Sequence, residues 1–291
     1  MVKPKIETAK SEILDFFAKQ DKKIYKWKEL SKIFISKAND WNLAKNTNFR
    51  MFLDYLINEN VLKQHQFNFP YQTEKRYIYD DAPLFEMILS LKPKSYFTHY
   101  TAMYLNEITD QIPKTIYLNF EQPKKRIRNS ELTQEKVDFA FKNKVRTSNN
   151  IAEYQGYKIY ILNGMYTGGI GVTQSKTELL GKISFTNLER TLIDITVRPV
   201  YAGGIYEVLK AFQLAHGRIS INKLVATLKS LNYTYPYNQA IGFYLDKSGV
   251  YDDSQLEPLR EFDMKYDFYL SHNMREIDYS NKWKLYFPKG F

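Results

Sequence analysis

A run of polar and basic side chains between positions 45 and 50 has the chemistry to bind a nucleic acid. Asparagine and arginine offer paired donors and acceptors that match base edges, and lysine neutralises backbone phosphates. Further basic residues follow in the next two apolar segments, where they would contact the phosphate backbone of a duplex. The residues that we predict to contact DNA are Lys45, Asn46, Thr47, Asn48, Arg50, Lys63, Lys75 and Arg76.

Three helical patterns of apolar residues would position the first group. They cover about residues 6–20, a segment that begins near Tyr25, and about residues 47–58. The third pattern is the clearest, because its apolar residues fall on a single face and leave Arg50 and Asp54 on the other side. The carboxylate of Asp54 would repel phosphate, which argues against a surface that faces DNA along its whole length.

Two short strands are predicted after the third helix, over residues 61–67 and 75–79, with turn residues between them. Asn46 or Thr47 is expected to cap the third helix. Three helices and a β-hairpin describe a winged helix-turn-helix, in which the third helix reads the major groove and the hairpin contacts the backbone. A small helical domain with solvated charges, or a winged helix that contacts proteins, is the alternative.

The composition favours an anionic partner. The 291-residue chain has a formal charge of +10 and a pI near 9.3, which fits a protein that binds DNA. It contains no cysteine, which excludes disulfides and cysteine-based zinc sites. No apolar run approaches the ~20 residues that span a bilayer, so we expect a cytoplasmic protein without membrane contact. The length predicts one large or two ordinary domains.

The densest basic run lies in the middle of the chain. It would form an exposed loop and provide a second basic patch for nucleic acid or for an acidic partner. A solvated loop is the commoner explanation for such a run. The residues of this patch are Lys124, Lys125, Arg126 and Arg128.

A histidine and a glycine-rich segment resemble parts of ligand sites, but the other residues that such sites need are missing. His99 has neither a cysteine nor a second histidine at ligand spacing, so we predict no metal site. Gly168, Gly169 and Gly171 do not open an amphipathic helix, so we interpret them as a turn within a β region and not as a phosphate-binding loop. We predict no cofactor.

Residues 182–212 predict a strand end, a helix, a proline break, a glycine pair that permits a tight reversal, and a second helix. Thr186 and Glu189 have the spacing of a capping box at the start of the first helix. Arg190 and Asp194 form an i, i+4 pair on that helix. Each charged residue therefore has a structural role available, and we predict no catalytic residue.

Together with the N-terminal segment, this stretch resembles the AbiEi family, the antitoxins of AbiE-type (type IV) toxin–antitoxin systems. The resemblance covers most of the chain and extends over the N-terminal helices and hairpin, residues 96–108, and residues 184–204. The last of these is the most specific part. Its characteristic residues are Glu189, Arg190, Thr191, Leu192, Asp194, Arg198, Pro199, Ala202, Gly203 and Gly204.

The resemblance implies a two-part regulator of an abortive-infection (phage-defence) operon and not an enzyme. The winged helix would bind inverted repeats in the operator and act as a transcriptional repressor of its own operon. Two copies on one repeat would follow from its symmetry. The C-terminal domain would counteract a nucleotidyltransferase-like toxin encoded beside it, without a stable complex between the two proteins.

We therefore expect an α+β protein, with a winged helix-turn-helix over residues 1–80 and a larger mixed α/β antitoxin domain over residues 81–291. A DNA-targeting nuclease would need an Asp followed by Glu-x-Lys on adjacent strands, whereas Glu207 and Lys210 fall on a predicted helix. The toxin itself would need a Gly-Ser turn, and the sequence has none. A protein-interaction module stays open, because 24 Tyr and 19 Phe suit an interface as well as a core.

Overall fold

The computed structural model describes residues 5–124 and 131–291 and has a mixed α+β fold, which confirms the predicted class. The chain divides into two compact units. Unit 1 comprises the residues up to Leu91 and residues 176–182, and unit 2 comprises residues 92–175 and 183–291. The segment between residue 80 and Leu91 therefore belongs to unit 1, beyond the boundary that the sequence suggests.

Unit 1 consists of short helices followed by a β-hairpin. The order of its three-stranded sheet is β1-β3-β2. Strands β2 and β3 are joined by Pro70 and Tyr71 alone, so both strands are longer than the sequence predicts. The elements are α1 (Lys5–Thr8), α2 (Lys10–Ala18), β1 (Ile24–Tyr25), α3 (Trp27–Lys37), α4 (Phe49–Asn58), β2 (Leu62–Phe69), β3 (Gln72–Tyr79) and α5 (Leu84–Leu89).

One hydrophobic core holds the helices of unit 1 to the base of the hairpin. Phe52 and Leu56 on α4 are fully buried in it, together with Phe17 of α2. Leu62 and Tyr77 belong to the same core, so one face of the hairpin packs on the helices at its base. The regular spacing of these apolar residues explains why the helix and strand patterns could be predicted.

A mixed six-stranded sheet with the order β6-β7-β5-β4-β9-β8 belongs to unit 2, except for the last residues of β8 and the first residues of β9, which are assigned to unit 1. The predicted helix over residues 95–108 is shorter, because its first residues form strand β4. The elements are β4 (Tyr96–Phe97), α6 (His99–Leu105), β5 (Thr115–Glu121), α7 (Gln134–Lys142), β6 (Ile151–Tyr154), β7 (Tyr157–Gly164), β8 (Val172–Thr177), β9 (Gly181–Thr186), α8 (Leu188–Val197), α9 (Ile205–Leu214), α10 (Ile221–Leu231), α11 (Tyr237–Ser248), α12 (Asp253–Arg260), β10 (Phe268–Tyr269), β11 (Ile277–Ser280) and β12 (Leu285–Pro288).

Strands β5 and β7 are parallel neighbours, so Glu121 and Gly164 lie side by side at their carboxyl ends. Helix α8 follows β9 directly and is buried along almost its whole length. Gly203 and Gly204 have positive φ values of 82° and 99°, which confirms that the glycine pair permits the reversal into α9.

Helix α11 is buried on all sides, as expected of a helix at the centre of a core. Gly242 allows the Trp283 ring to approach it, because a Cβ at this position would lie 2.1 Å from the ring. In residues 5–124 and 131–291, no helix combines the length and apolar character needed to cross a membrane.

Candidate nucleic-acid interface

Helix α4 presents a polar side opposite its buried face. It begins at Phe49, and the Oδ1 atom of Asn48 accepts a hydrogen bond from the Met51 backbone N–H at 3.0 Å. Asn48 is therefore the N-cap, and not Asn46 or Thr47 as predicted. The side-chain oxygen of Asn48 is already occupied by this hydrogen bond. Its amide nitrogen remains the group that could donate to a base or phosphate.

Two cations flank the start of α4 and are exposed. Lys45 lies in the preceding turn and Arg50 in the first turn of the helix. Within the described part of the chain, neither forms an ion pair. Asn46 is also exposed, whereas Thr47 is half-buried. This segment thus offers two cations that have no internal counter-charge.

The hairpin continues this polar surface on one of its two faces. Residues on a strand alternate between faces, and the face whose base packs on the helices carries polar side chains along its outer half. Burial, and to a smaller extent the charge of Asp54 on α4, raises the pKa of Tyr77 on this face. Tyr77 shares one core with the buried face of α4, so this face of the hairpin adjoins the helix. The polar residues of this face are Gln64, Gln66, Asn68, Thr73 and Lys75.

Hydrogen bonds between side chains order the outer half of this face. The Gln66 Nε2 atom donates to Asn68 Oδ1 at 2.8 Å, and Thr73 Oγ1 donates to the same oxygen at 3.2 Å. Sequence reasoning missed Gln66, Asn68 and Thr73, since it weighted charge and extended the turn over Asn68 and Thr73. The period-two alternation of β2 would have identified them.

Arg76 lies on the opposite face, and its prediction as a DNA contact is wrong. The side chain is only 1% exposed and donates to Ser90 Oγ, the Ser90 carbonyl, the Lys75 carbonyl and Glu74 Oε2 at 2.7–3.1 Å. The guanidinium therefore links β3 to the residue after α5. Successive strand residues point to opposite faces, so the neighbouring Lys75 is exposed on the polar face while Arg76 is buried.

Lys63 shares a face with Arg76 and forms an ion pair with Asp81 at 2.8 Å. Both side chains are more than half exposed, so this pair contributes little to stability and the Lys63 ammonium can exchange partners. Lys63 therefore lies away from the surface formed by α4 and Lys75, and it would contact DNA only at the edge of the hairpin.

Replacing Lys75 and Arg76 separately should give opposite results. Arg76→Ala should lower the unfolding free energy of unit 1 by about 1–2 kcal/mol, because buried acceptors lose their donor. Lys75→Ala should leave stability unchanged but reduce the salt dependence of DNA binding by about one phosphate contact. Urea denaturation and DNA titrations of both variants measure the two effects. Loss of DNA affinity in a stable Arg76→Ala protein would contradict this assignment.

The second basic patch is described only at its first residue. Lys124 follows β5 and is exposed. The positions of Lys125, Arg126 and Arg128 fall outside the described residues.

The i, i+4 pair on α8 is buried, in contrast to the more exposed i, i+4 pair of Asp138 and Lys142. Arg190 Nε donates to Asp194 Oδ1 at 2.7 Å, and the two side chains are about 5% exposed. Asp194 also accepts from Thr98 Oγ1 at 2.9 Å, while Arg190 Nη1 donates to the Ile170 carbonyl at 2.6 Å. The pair therefore joins α8 to β4 and to the glycine-containing loop before β8.

The predicted capping box at the start of α8 is wrong. Asn187 is the N-cap, and its side chain accepts from the Arg190 backbone N–H at 3.0 Å. Thr186 instead bonds to the hydroxyl of Thr191, and Glu189 forms an ion pair with Lys223 at 2.9 Å. Glu189 is buried and reaches across to α10, so it cannot return to its own helix start.

The glycine-containing loop after β7 binds an anion, and this anion is the carboxylate of Glu121 in the same protein. The Glu121 carboxylate accepts from the backbone N–H groups of Thr167, Gly168 and Gly169 at 2.9–3.2 Å. The hydroxyls of Thr167 and Tyr96 donate to it as well. Because Glu121 occupies these donors, the loop is not available for a phosphate. This accords with the predicted turn within a β region.

His99 has an unusual backbone and an unused ring nitrogen. Its φ is +51°, and its ring packs edge-on against Tyr201 at 5.3 Å between centroids. Nδ1 is buried and has no hydrogen-bond partner in the part of the chain that the structure describes. Burial lowers the pKa of His99 to about 4, so the imidazole is neutral at physiological pH. Among the described residues, no group of three or more His, Asp or Glu side chains could hold a metal ion.

Acidification should therefore destabilise unit 2 through His99. Below its ordinary pKa the unfolded chain takes up a proton that the folded state does not, and we expect a loss of about 1–2 kcal/mol between about pH 7 and pH 5. His99→Asn tolerates the left-handed backbone and should remove this component. Urea denaturation of both proteins at the two pH values measures it, and identical pH dependence would contradict the assignment.

Comparisons with known proteins bear on the fold alone. No protein-family model matches the chain, and no curated protein matches its sequence. The fold is similar to that in the crystal structure of the RV2827C protein from Mycobacterium tuberculosis, with a TM-score of 0.59. The alignment covers 96% of this chain and 91% of that chain at 10% sequence identity. The similarity therefore extends over both units and carries no information on activity.

Proposed function

We propose that the chain is a DNA-binding repressor whose first unit recognises duplex operator DNA as a winged helix. The observation that carries this proposal is the surface formed by α4 and one face of the hairpin. It combines the cations of Lys45, Arg50 and Lys75, which form no ion pair within the described residues, with a row of amide and hydroxyl groups. Cations without an internal partner favour phosphate, and amides pair with base edges.

In this proposal, α4 enters the major groove and its first turn meets the bases. Arg50 is the residue best placed to contact a base edge, because it lies in the first turn and points away from the core. Lys45 and Lys75 contact phosphates on either side. Asp54 is exposed on the same side of α4 as Arg50, so its carboxylate opposes phosphate contacts at that end of the helix.

The role of unit 2 in this proposal comes from the resemblance to AbiEi antitoxins. The repressor would control its own operon in the cytoplasm and counteract a nucleotidyltransferase-like toxin, without acting as an enzyme itself. The residues that carry the resemblance include Arg190 and Asp194. Their buried contacts support a structural role for the motif, since both side chains are occupied inside the protein.

A reporter and a growth assay test the two halves separately. The chain should repress a reporter under the control of its own upstream DNA, and the Arg50→Ala/Lys75→Ala variant should not. Both proteins should rescue growth when the adjacent toxin is expressed, because unit 2 is unchanged. Repression that survives in the double variant would overturn the assigned DNA surface. Failure of the parent protein to rescue growth would overturn the antitoxin half.

A protein-interaction role for unit 1 is the second candidate, and exposed aromatic residues favour it. Trp27 and Tyr71 are 52% and 86% exposed, and Tyr71 forms the tip of the hairpin. Aromatic side chains of this kind anchor protein interfaces. Absence of reporter repression together with capture of a specific partner by unit 1 would favour this alternative.

A further inference from the structure

A cavity of about 1390 Å³ lies within unit 2 and carries an excess of positive charge. Arg190 and Asp194 neutralise each other at its inner end, which leaves Glu135 as the remaining carboxylate of the lining. A cleft lined by one sign of charge concentrates ligands of the opposite sign. The cations not used in this buried pair are Lys136, Lys144, Arg146 and Arg198.

None of these four cations forms an ion pair with a described residue, and the ammonium of Lys136 donates to the backbone carbonyl of Glu131 at 2.6 Å. The Nη1 atom of Arg198 donates to the Arg146 backbone carbonyl at 3.1 Å, which fixes the guanidinium at the end of α8. The side chain of Arg146 is exposed, and so is that of Lys144. Lys144, Arg146 and Arg198 line the same cavity and supply cationic N–H donors of the kind that bind a phosphate group.

Aromatic side chains form another part of the cavity wall. Phe141 and His272 are stacked with their ring centroids 4.3 Å apart and an interplanar angle of 12°. Tyr233 and Tyr237 meet edge to face at 5.3 Å. Tyr235 contacts both Phe141 and Tyr237, so these rings form one aromatic cluster. Planar rings next to a cationic surface suit the π-face of a nucleobase, because stacking is favourable for every base.

The polar groups of the lining complete the site. Asn119 and Asn163 lie near the carboxyl ends of the parallel strands β5 and β7, the edge at which sheets of this kind commonly bind ligands. His99 also lines the cavity, and its buried Nδ1 has no partner in the described ranges. Because the His99 ring forms part of the wall, a ligand in the cavity would change its surroundings.

We propose that this cavity binds an unpaired nucleotide. The phosphate contacts Lys144, Arg146 and Arg198, and the base lies against the aromatic wall near Tyr233. The nucleotide is either a free nucleoside phosphate or the end of a single strand, because both present one accessible base and one phosphate. Duplex DNA does not fit this description, since its bases are stacked and paired. The site is therefore separate from the duplex-binding surface proposed for unit 1, and neither proposal depends on the other.

Fluorescence anisotropy on the full chain tests this proposal with two probes. One probe is mant-labelled ATP, and the other is a labelled single strand of about four nucleotides, near the lower site size of single-strand binders. The test variant is Lys144→Gln/Arg146→Gln, whose side chains are both exposed. The matched control is Lys158→Gln/Lys247→Gln, which removes the same charge from exposed positions outside the cavity lining. Inorganic phosphate and a glutamate peptide serve as competitors.

We expect saturable binding of at least one probe, weakened roughly tenfold or more in the test variant and unchanged in the control variant. Preference for ATP would identify a free nucleotide as the ligand, and preference for the oligonucleotide would identify a strand end. Equal losses in both variants, no saturable binding, or equal displacement by the glutamate peptide would overturn the proposal. NMR provides a second readout, in which the imidazole resonance of His99 is assigned by its absence from the His99→Asn spectrum. This resonance should shift when the probe binds. The absence of a shift would contradict the proposed location.

Discussion

Asp194→Ala is expected to lower the unfolding free energy of unit 2 by about 3–5 kcal/mol, because it leaves the Arg190 charge buried without a partner. The two side chains are about 5% exposed, so solvent screens the remaining charge only weakly. Thr98 would also lose the acceptor of its hydroxyl. The loss should therefore be far larger than the few tenths of a kcal/mol expected of an exposed i, i+4 pair.

Trp283 provides a local probe for this measurement. Of the three tryptophans, Trp27 and Trp41 lie in unit 1, so replacing both by phenylalanine leaves Trp283 to report the unfolding of unit 2. Urea denaturation followed by its fluorescence would compare Asp194→Ala with the parent in that background. The exposed pair between Lys210 and Asp110 offers a control, and Asp110→Ala should cost less than about 1 kcal/mol.

The double variant Arg190→Met/Asp194→Leu should recover much of the loss, because it removes both buried charges together. The hydroxyl of Thr98 and the Ile170 carbonyl would still lack their partners, so recovery should be incomplete. Equal stability of Asp194→Ala and the Asp110→Ala control would refute the view that the signature helix is held by a buried ion pair.

Arg50→Ala is expected to weaken binding to the operator by about 1–3 kcal/mol and to reduce discrimination between the operator and scrambled DNA. The physical reason is that a guanidinium makes paired hydrogen bonds to a base edge that alanine cannot replace. Lys45→Ala should instead weaken binding to both DNAs alike and lower the salt dependence by about one contact. Titrations of both DNAs with each variant give these quantities.

Lys19→Ala is the matched control for these titrations. Lys19 caps the end of α2, is exposed, and lies outside the proposed surface, so its removal changes the net charge but no predicted contact. Its affinity for either DNA should stay close to that of the parent protein. If Arg50→Ala also binds the operator like the parent, Arg50 does not read a base.

The elements that the sequence predicts best are those with a regular apolar pattern. Helix α4 begins within two residues of its predicted start and ends at the predicted Asn58, and β7 occupies residues 157–164 as predicted. In both cases the spacing of the apolar side chains predicts which face is buried. Helix ends were less predictable, because Asn46, Thr47 and Asn48 are all suitable caps and only tertiary packing selects Asn48.

The features that the sequence could not predict depend on contacts between distant segments. Arg76 and Lys75 have equivalent chemistry in the sequence, and only the packing of one hairpin face against the chain after α5 buries Arg76. Arg190 and Asp194 have the spacing of a solvated ion pair on a helix surface. The pair is nevertheless buried, and Asp194 accepts a hydrogen bond from Thr98, which is distant in the sequence. The cavity of unit 2 likewise joins segments that no local motif connects.

The central claim is that the surface of α4 and the hairpin binds a specific duplex, and one titration tests it most directly. The full chain is titrated onto the DNA just upstream of its own gene and onto a scrambled duplex, at about 50 mM and about 200 mM salt. We predict tighter binding to the upstream DNA at both salts, with affinity falling about a thousandfold if six or more phosphates are contacted. Equal affinity for both duplexes, or affinity that does not change with salt, would contradict the claim.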